Sequence, residues 1–305
     1  MSLTTHRSTY RQNTGLPVTK ESRVPLCGPR HDNGAKMSQP IPNPGLGTFR
    51  LTGDTLRHAV TTALKLGYRH IDTAQFYGNE AEVGSAIEAS SVPRDEIFLT
   101  TKVWWDRLDP VSLKASVEES LSKLGTGYVD LLLIHWPSPD DEVPMRDYLT
   151  ALKEVKDAGK ARHIGVSNFT KAHIDQAVDI LGKGEILTNQ IEVHPFLQNR
   201  ELIAHCERHG IIPTAFMPLA VGKVLEDETL KAIAEKHGAN PAQVAIAWLN
   251  QLGIPTFPSS TKEQNLKSNL EALKLELSQE DMDAIAKLDR GERVASPDFA
   301  PKWDQ

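Results

Sequence analysis

Val129-Asp130-Leu131-Leu132-Leu133-Ile134-His135 is the stretch on which the fold turns. Leu131, Leu132, Leu133 and Ile134 are apolar in succession, without the alternation of a strand that has one wet face. Strands read this way when both faces are covered, as in parallel sheets with helices outside. Similar short runs recur at 68–72, 97–102, 163–168, 186–190, 213–217 and 255–258, with a shorter one at 45–48. Amphipathic stretches separate them. Asp109-Pro110 supplies a helix N-cap followed by proline at the first helical position; Leu113, Val117, Leu121 and Leu124 form a stripe, and Gly125 ends it. Leu56, Val60, Ala63 and Leu64 form another stripe that stops at Gly67.

Eight such strands fit either a doubly wound sheet or a closed barrel, and the spacing separates the two. Asp72 and Lys102 stand 30 positions apart, Lys102 and His135 33, and His135 and Asn168 another 33. Intervals of 22 to Gln190, 26 to Phe216 and 43 to Ser259 follow, the last long enough for two helices near 227–237 and 241–252. A near-regular repeat continuing to eight strands predicts an α/β fold, the (β/α)8 TIM barrel, over residues 38–305 as one domain.

Residues 1–37 differ in kind. They carry six Lys/Arg against Glu21 and Asp32 and show no apolar periodicity, so they are expected to be a disordered extension outside the fold. In the whole chain of 305 residues, 34 Lys+Arg against 40 Asp+Glu leave a net charge of −6, which disfavours nucleic acid or anionic lipid as partner. No apolar run approaches a membrane span. Two cysteines, Cys27 and Cys206, form no disulfide framework and fit a reducing compartment. A cytoplasmic monomer acting on a small molecule is expected.

Polar residues at the C-terminal ends of barrel strands converge on one mouth. Here those ends supply Asp72, Lys102, His135, Asn168, Gln190 and Ser259, with Tyr77 five positions beyond Asp72. A lysine beside a tyrosine stabilises the phenolate and lowers the phenol from its ordinary value of about 10. An aspartate keeps that lysine charged, and the tyrosine can then protonate a carbonyl oxygen. His135 can hydrogen-bond the same oxygen. Such a group cannot reduce the carbon, so a cofactor must bring the hydride. Taken singly, each residue has a plainer role: a rim ion pair, a satisfied core histidine, a surface tyrosine. Their joint placement on consecutive strands favours chemistry.

The strings Gly45-Leu46-Gly47-Thr48-Phe49, Gly67-Tyr68-Arg69-His70-Ile71-Asp72-Thr73-Ala74-Gln75-Phe76-Tyr77-Gly78-Asn79-Glu80, Thr101-Lys102-Val103-Trp104, Gly165-Val166-Ser167-Asn168-Phe169 and Thr188-Asn189-Gln190-Ile191-Glu192 resemble, in order, the signature of the aldo-keto reductase superfamily. The resemblance implies NADPH-dependent carbonyl reduction. Tyr77 would be the general acid, Lys102 and Asp72 its tuning pair, and His135 the residue that orients substrate. Thr48, Asp72, Ser167, Asn168, Gln190, Phe216, Leu219, Ser259, Ser260, Lys262 and Asn269 would hold the cofactor. Phe49, Trp104, Trp136 and His135 would face the substrate, while Trp105 reads as core packing.

Ser259 and Asn265 stand where many relatives carry Lys and Arg for the 2′-phosphate, leaving Lys262 as the substitute and NADH use open. Ser260 and Glu263 read as a capping box opening a helix. Within the family the likeness is to bacterial 2,5-diketo-D-gluconate reductases, which also reduce methylglyoxal. The short tail 291–305 suggests an open mouth.

Two other functions compete: a Schiff-base lyase using Lys102, and an NADPH-binding sensor without turnover. His205 and His209 lie one helical turn apart, but no third ligand is indicated and no metal is expected.

Overall fold

Every position of Val129–Ile134 is buried, as a strand covered on both faces requires. The computed structural model describes residues 40–304, so the expectation for residues 1–37 lies outside the described residues. Seven parallel strands pair in sequence order: β1 Leu46–Gly47, β2 His70–Asp72, β3 Phe98–Val103, β4 Val129–Ile134, β5 Ala161–Ser167, β6 Ile186–Glu192 and β7 Ile212–Phe216. Helices follow them: α1 Gly53–Leu66, α2 Glu80–Glu88, α3 Pro110–Leu124, α4 Met145–Asp157, α5 Lys171–Leu181 and α6 Arg200–Arg208. After β7 come α7 Glu228–Lys236, α8 Pro241–Gln251, α9 Glu263–Glu271 and α10 Gln279–Ala286.

The helix punctuation acts as its chemistry dictates. Asp109 accepts from Val111 N and Ser112 N at 3.1 Å each. Pro110 opens α3, and Gly125 closes it in the left-handed region at φ 63°. Leu113, Val117, Leu121 and Leu124 are all buried. Each such side chain removed from water stabilises the fold by roughly 1.5–3 kcal/mol.

The eighth expected strand, 255–258, is corrected. It forms a single parallel bridge, Thr256 to Ala215, rather than a ladder. Pro255 and Pro258 carry no N–H, which removes the donors a ladder needs. The segment is nonetheless bonded on both sides. Ala215 N donates to Pro255 O at 2.8 Å, and Gly45 N donates to Thr256 O at 2.9 Å. A Cβ at Gly47 would stand 2.6 Å from the carbonyl oxygen of Phe257, so only glycine lets β1 lie this close.

The Ser260–Glu263 capping box is also corrected. Lys262 occupies the N-cap position of α9, and Glu263 turns instead to Lys267 at 2.6 Å. Ser260 Oγ accepts from Lys262 N at 3.2 Å, forming a tight turn before the helix.

Candidate active site

The C-terminal ends of β2 to β6 bring Asp72, Lys102, Ser167, Asn168 and Gln190 together, and a chain of hydrogen bonds joins them. Lys102 Nζ is fully buried and donates to Asp72 Oδ1 at 2.6 Å, to the Thr73 carbonyl at 2.8 Å and to the Tyr77 hydroxyl at 3.3 Å. The other Asp72 oxygen accepts from Gln190 Nε2 at 2.8 Å. Ser167 Oγ donates to the Gln190 carbonyl at 2.8 Å. Asn168 Nδ2 donates to Ser167 Oγ at 3.0 Å and to the His135 carbonyl at 2.9 Å. Asp72 therefore couples the lysine–tyrosine pair to the amide-bearing side of the mouth. The β5–β6 register shifts between the pairs Ile164–Ile186 and Val166–Asn189, so β6 carries the extra residue just before Gln190 and the local twist changes there. Asn168 sits in the left-handed region at φ 61°.

Tyr77 is placed by a short turn rather than a strand. Asn79 ties that turn down: Nδ2 donates to the carbonyls of Thr48 at 2.9 Å and Leu51 at 3.0 Å, and Oδ1 accepts from Thr73 Oγ1 at 2.8 Å. Gln75 braces the other side, accepting from Trp104 N at 3.1 Å and donating to Ser116 Oγ at 3.0 Å. Sequence reasoning passed over both, although each stood inside the quoted motif.

Burial raises the Tyr77 phenol above its ordinary value, and the Lys102 ammonium pulls it back only in part. The expected net lowering is thus corrected: removal from water outweighs the neighbouring charge. Burial alone would lower Lys102, but the Asp72 carboxylate and Tyr77 outweigh it and keep the ammonium charged. A lysine so held is a poor Schiff-base nucleophile. Burial, aided by Lys102, holds His135 well below the usual imidazole value, so it is neutral at pH 7. Its buried Nδ1 has no partner.

These groups open into a cavity of about 500 Å3. Phe49, Trp104, Trp136, Phe216, Leu219 and Ser259 line it beside Asp72, Tyr77, His135, Ser167, Asn168 and Gln190. Of the other expected residues, Thr48 is buried beneath, donating to the Asp72 carbonyl at 3.0 Å. Asn269 is buried beside Tyr68, whose hydroxyl donates to the Leu266 carbonyl at 3.0 Å. Ser260 and the exposed Lys262 belong to the turn before α9 and do not line the cavity.

The open mouth expected from a short tail is corrected, because Ala295, Pro297 and Phe299 form part of the wall. Phe299 packs on Trp104, Trp105 and Trp136 at ring-centroid distances of 5.6, 5.3 and 5.4 Å. Buried Glu192 fixes the tail: its two oxygens accept from Val294 N and Ala295 N at 2.7 Å each. Phe76, stacked on Trp104 at 4.0 Å, is another wall residue missed from sequence. Its place one position before Tyr77 was the available signal.

A carbonyl oxygen in this cavity would meet a phenol backed by an ammonium and a neutral imidazole, in largely apolar walls. That suits protonation of the oxygen coupled to reduction of the carbon. Residues 45–290 match the family model of the aldo/keto reductase family. Methylglyoxal reductase DkgB of Escherichia coli O157:H7 is 53% identical over 265 residues, spanning 87% of this chain and 99% of that one. The glyoxal reductase of Bacillus subtilis is 42% identical over 287 residues, or 93% of this chain and 99% of its own. A crystal structure assigned as a 2,5-diketo-D-gluconic acid reductase B superposes with a TM-score of 0.84 at 44% identity, covering 87% of this chain and 94% of that one. The chain belongs to the aldo/keto reductase family. It is an oxidoreductase of carbonyl groups, in a family that generally uses a nicotinamide cofactor.

Proposed function

We propose that the chain reduces small aldehydes and ketones with NADPH, methylglyoxal and 2,5-diketo-D-gluconate among them. The observation that carries this is the chain Asp72–Lys102–Tyr77, with the neutral His135 ring edge-on to Tyr77 at 5.7 Å. Tyr77 keeps its proton through neutral pH and delivers it to the carbonyl oxygen. Lys102, held charged by Asp72, stabilises the phenolate left behind. The neutral His135 imidazole orients the same oxygen. A reduced nicotinamide supplies the hydride that these side chains lack.

The residues fit that cofactor. Ser167, Asn168 and Gln190 offer polar groups for its carboxamide beside the Phe216 ring, and both oxygens of Asp72 are already engaged. For the 2′-phosphate, Lys262 is the nearby cation, and the charge of Glu263 is offset by Lys267. The fold that supports the site is taken as a closed (β/α)8 barrel, the segment at Thr256 being its eighth stave. A cytoplasmic monomer completes the proposal. No helix among the described residues is long and apolar enough to cross a membrane.

The test follows NADPH oxidation by absorbance with 2,5-diketo-D-gluconate, methylglyoxal and a neutral aromatic aldehyde, then repeats it with NADH. Turnover favouring NADPH and the dicarbonyls is expected. Equal use of NADH would remove the role given to Lys262. Folded, NADPH-binding protein with no turnover on any carbonyl would overturn the reaction itself.

A further inference from the structure

The helical ring holds a side-chain cluster that carbonyl reduction does not use. His205, in α6, and His209, the residue that ends it, lie four positions apart and so share one face. Both Nε2 atoms point at a single oxygen of the neighbouring α5: His205 reaches Asp175 Oδ1 at 2.7 Å and His209 reaches it at 2.9 Å. The two rings are 5.0 Å apart, and one donor atom from each of the three residues lies within 4.8 Å of the others. The third ligand that sequence alone did not indicate thus comes from the next helix.

We propose that Asp175, His205 and His209 form a binding site for a divalent transition-metal ion, with Zn2+ the best match. Two imidazoles and one carboxylate are the donor set that suits zinc, copper or nickel rather than calcium or magnesium. Bonds of about 2.0–2.1 Å in a tetrahedral site place ligand atoms roughly 3.3 Å apart. The nitrogen-to-oxygen distances of 2.7 and 2.9 Å therefore need to open by only about half an ångström. The side chain of Asp175 is 54% exposed and that of His205 only 13%, so the imidazole is packed in place while the outer face stays free for water ligands.

One neighbour opposes the ion. Arg208 Nη2 lies 3.0 Å from His205 Nδ1. A neutral imidazole bound to metal through Nε2 carries its proton on Nδ1, so the guanidinium must swing away, and its charge weakens binding. Lys171, the other nearby cation, is paired with Glu201 at 2.8 Å. The site ties α5 to α6, so an ion that binds only the folded chain raises the melting temperature.

Calorimetric titration of the full chain with ZnCl2 tests the proposal, with CoCl2 as a visible-absorption probe of the ligand set. Saturable binding in the micromolar range is expected, weakened at least tenfold by His209→Gln and tightened by Arg208→Gln. Zinc should raise the melting temperature of the parent and not of the His205→Gln/His209→Gln double variant. No saturable binding up to millimolar zinc would overturn the proposal. So would equal affinity in His209→Gln, which would place the ion elsewhere. Methylglyoxal turnover should be the same in His209→Gln as in the parent, because α6 lies away from the mouth.

Discussion

Two buried histidines, two strands apart, show how one residue type serves opposite ends. His70 begins β2, two positions before Asp72 and on the same face. Its Nδ1 meets the Pro42 carbonyl at 3.2 Å and its Nε2 meets Thr100 Oγ1 at 2.9 Å, with Phe98 and Phe257 edge-on at 5.0 and 4.9 Å. His135 follows β4 and packs against Trp104 at 5.0 Å and Tyr77 at 5.7 Å, but its Nδ1 is unpartnered and its ring lines the cavity. Burial lowers both, His70 to about 4. Neutrality is therefore common to the two, and it does not distinguish structure from chemistry. What separates them is that the His135 ring lines the cavity while both His70 nitrogens are taken up within the fold.

The sharpest test of the mouth is Tyr77→Phe, which keeps the ring and removes the proton donor. Its kcat should fall by about 10²–10⁴-fold while NADPH affinity, read by fluorescence titration, stays near the parent value. Parent-like turnover would dismiss Tyr77 as the acid. Lys102→Met should cost a similar factor in kcat. It also leaves Asp72 buried without its cation, so chemical denaturation should show a loss of about 3–5 kcal/mol. Full stability in that variant would mean the buried pair contributes little.

At the other end the effect is on stability alone. Below the ordinary histidine value of about 6.5, the unfolded chain binds a proton that His70 in the fold refuses until about pH 4. Stability is thus lost as pH falls from about 6.5 to about 4, by roughly 3 kcal/mol for this one group. Denaturation curves for His70→Gln should be less steep in pH over that window; identical slopes would show that His70 is not a proton-linked group. The smallest effect belongs to the wall. Phe299→Ala removes aromatic contacts worth about 0.5–1.5 kcal/mol each, so KM for an aromatic aldehyde should rise about two- to tenfold with kcat little changed.

The placement of Asp72, Lys102 and His135 at one mouth was legible because each lies at or next to the end of a strand that the apolar pattern reveals, whereas Tyr77 sits in the turn after β2. Leu131 to Ile134 announces β4, and His135 is simply the next residue. The same logic located Asp72 and Lys102 on β2 and β3. It failed at the tail. Phe299 owes its place to Glu192, which grips the backbone of Val294 and Ala295 from more than a hundred positions away. It failed also at 255–258, where the run looks like a strand but two prolines deny it the ladder.

Hydrophobic periodicity, caps and strand-end residues thus determined the parallel architecture and which polar side chains gather at its mouth, since those signals are local and repeat along the chain. Tertiary structure alone decided which helix faces meet, so that Asp175 joins His205 and His209, and how the tail closes the wall. It also decided the balance of burial against charge at Tyr77. These depend on distances between residues remote in sequence and on the water that their packing removes, and neither is written in any single stretch of the chain.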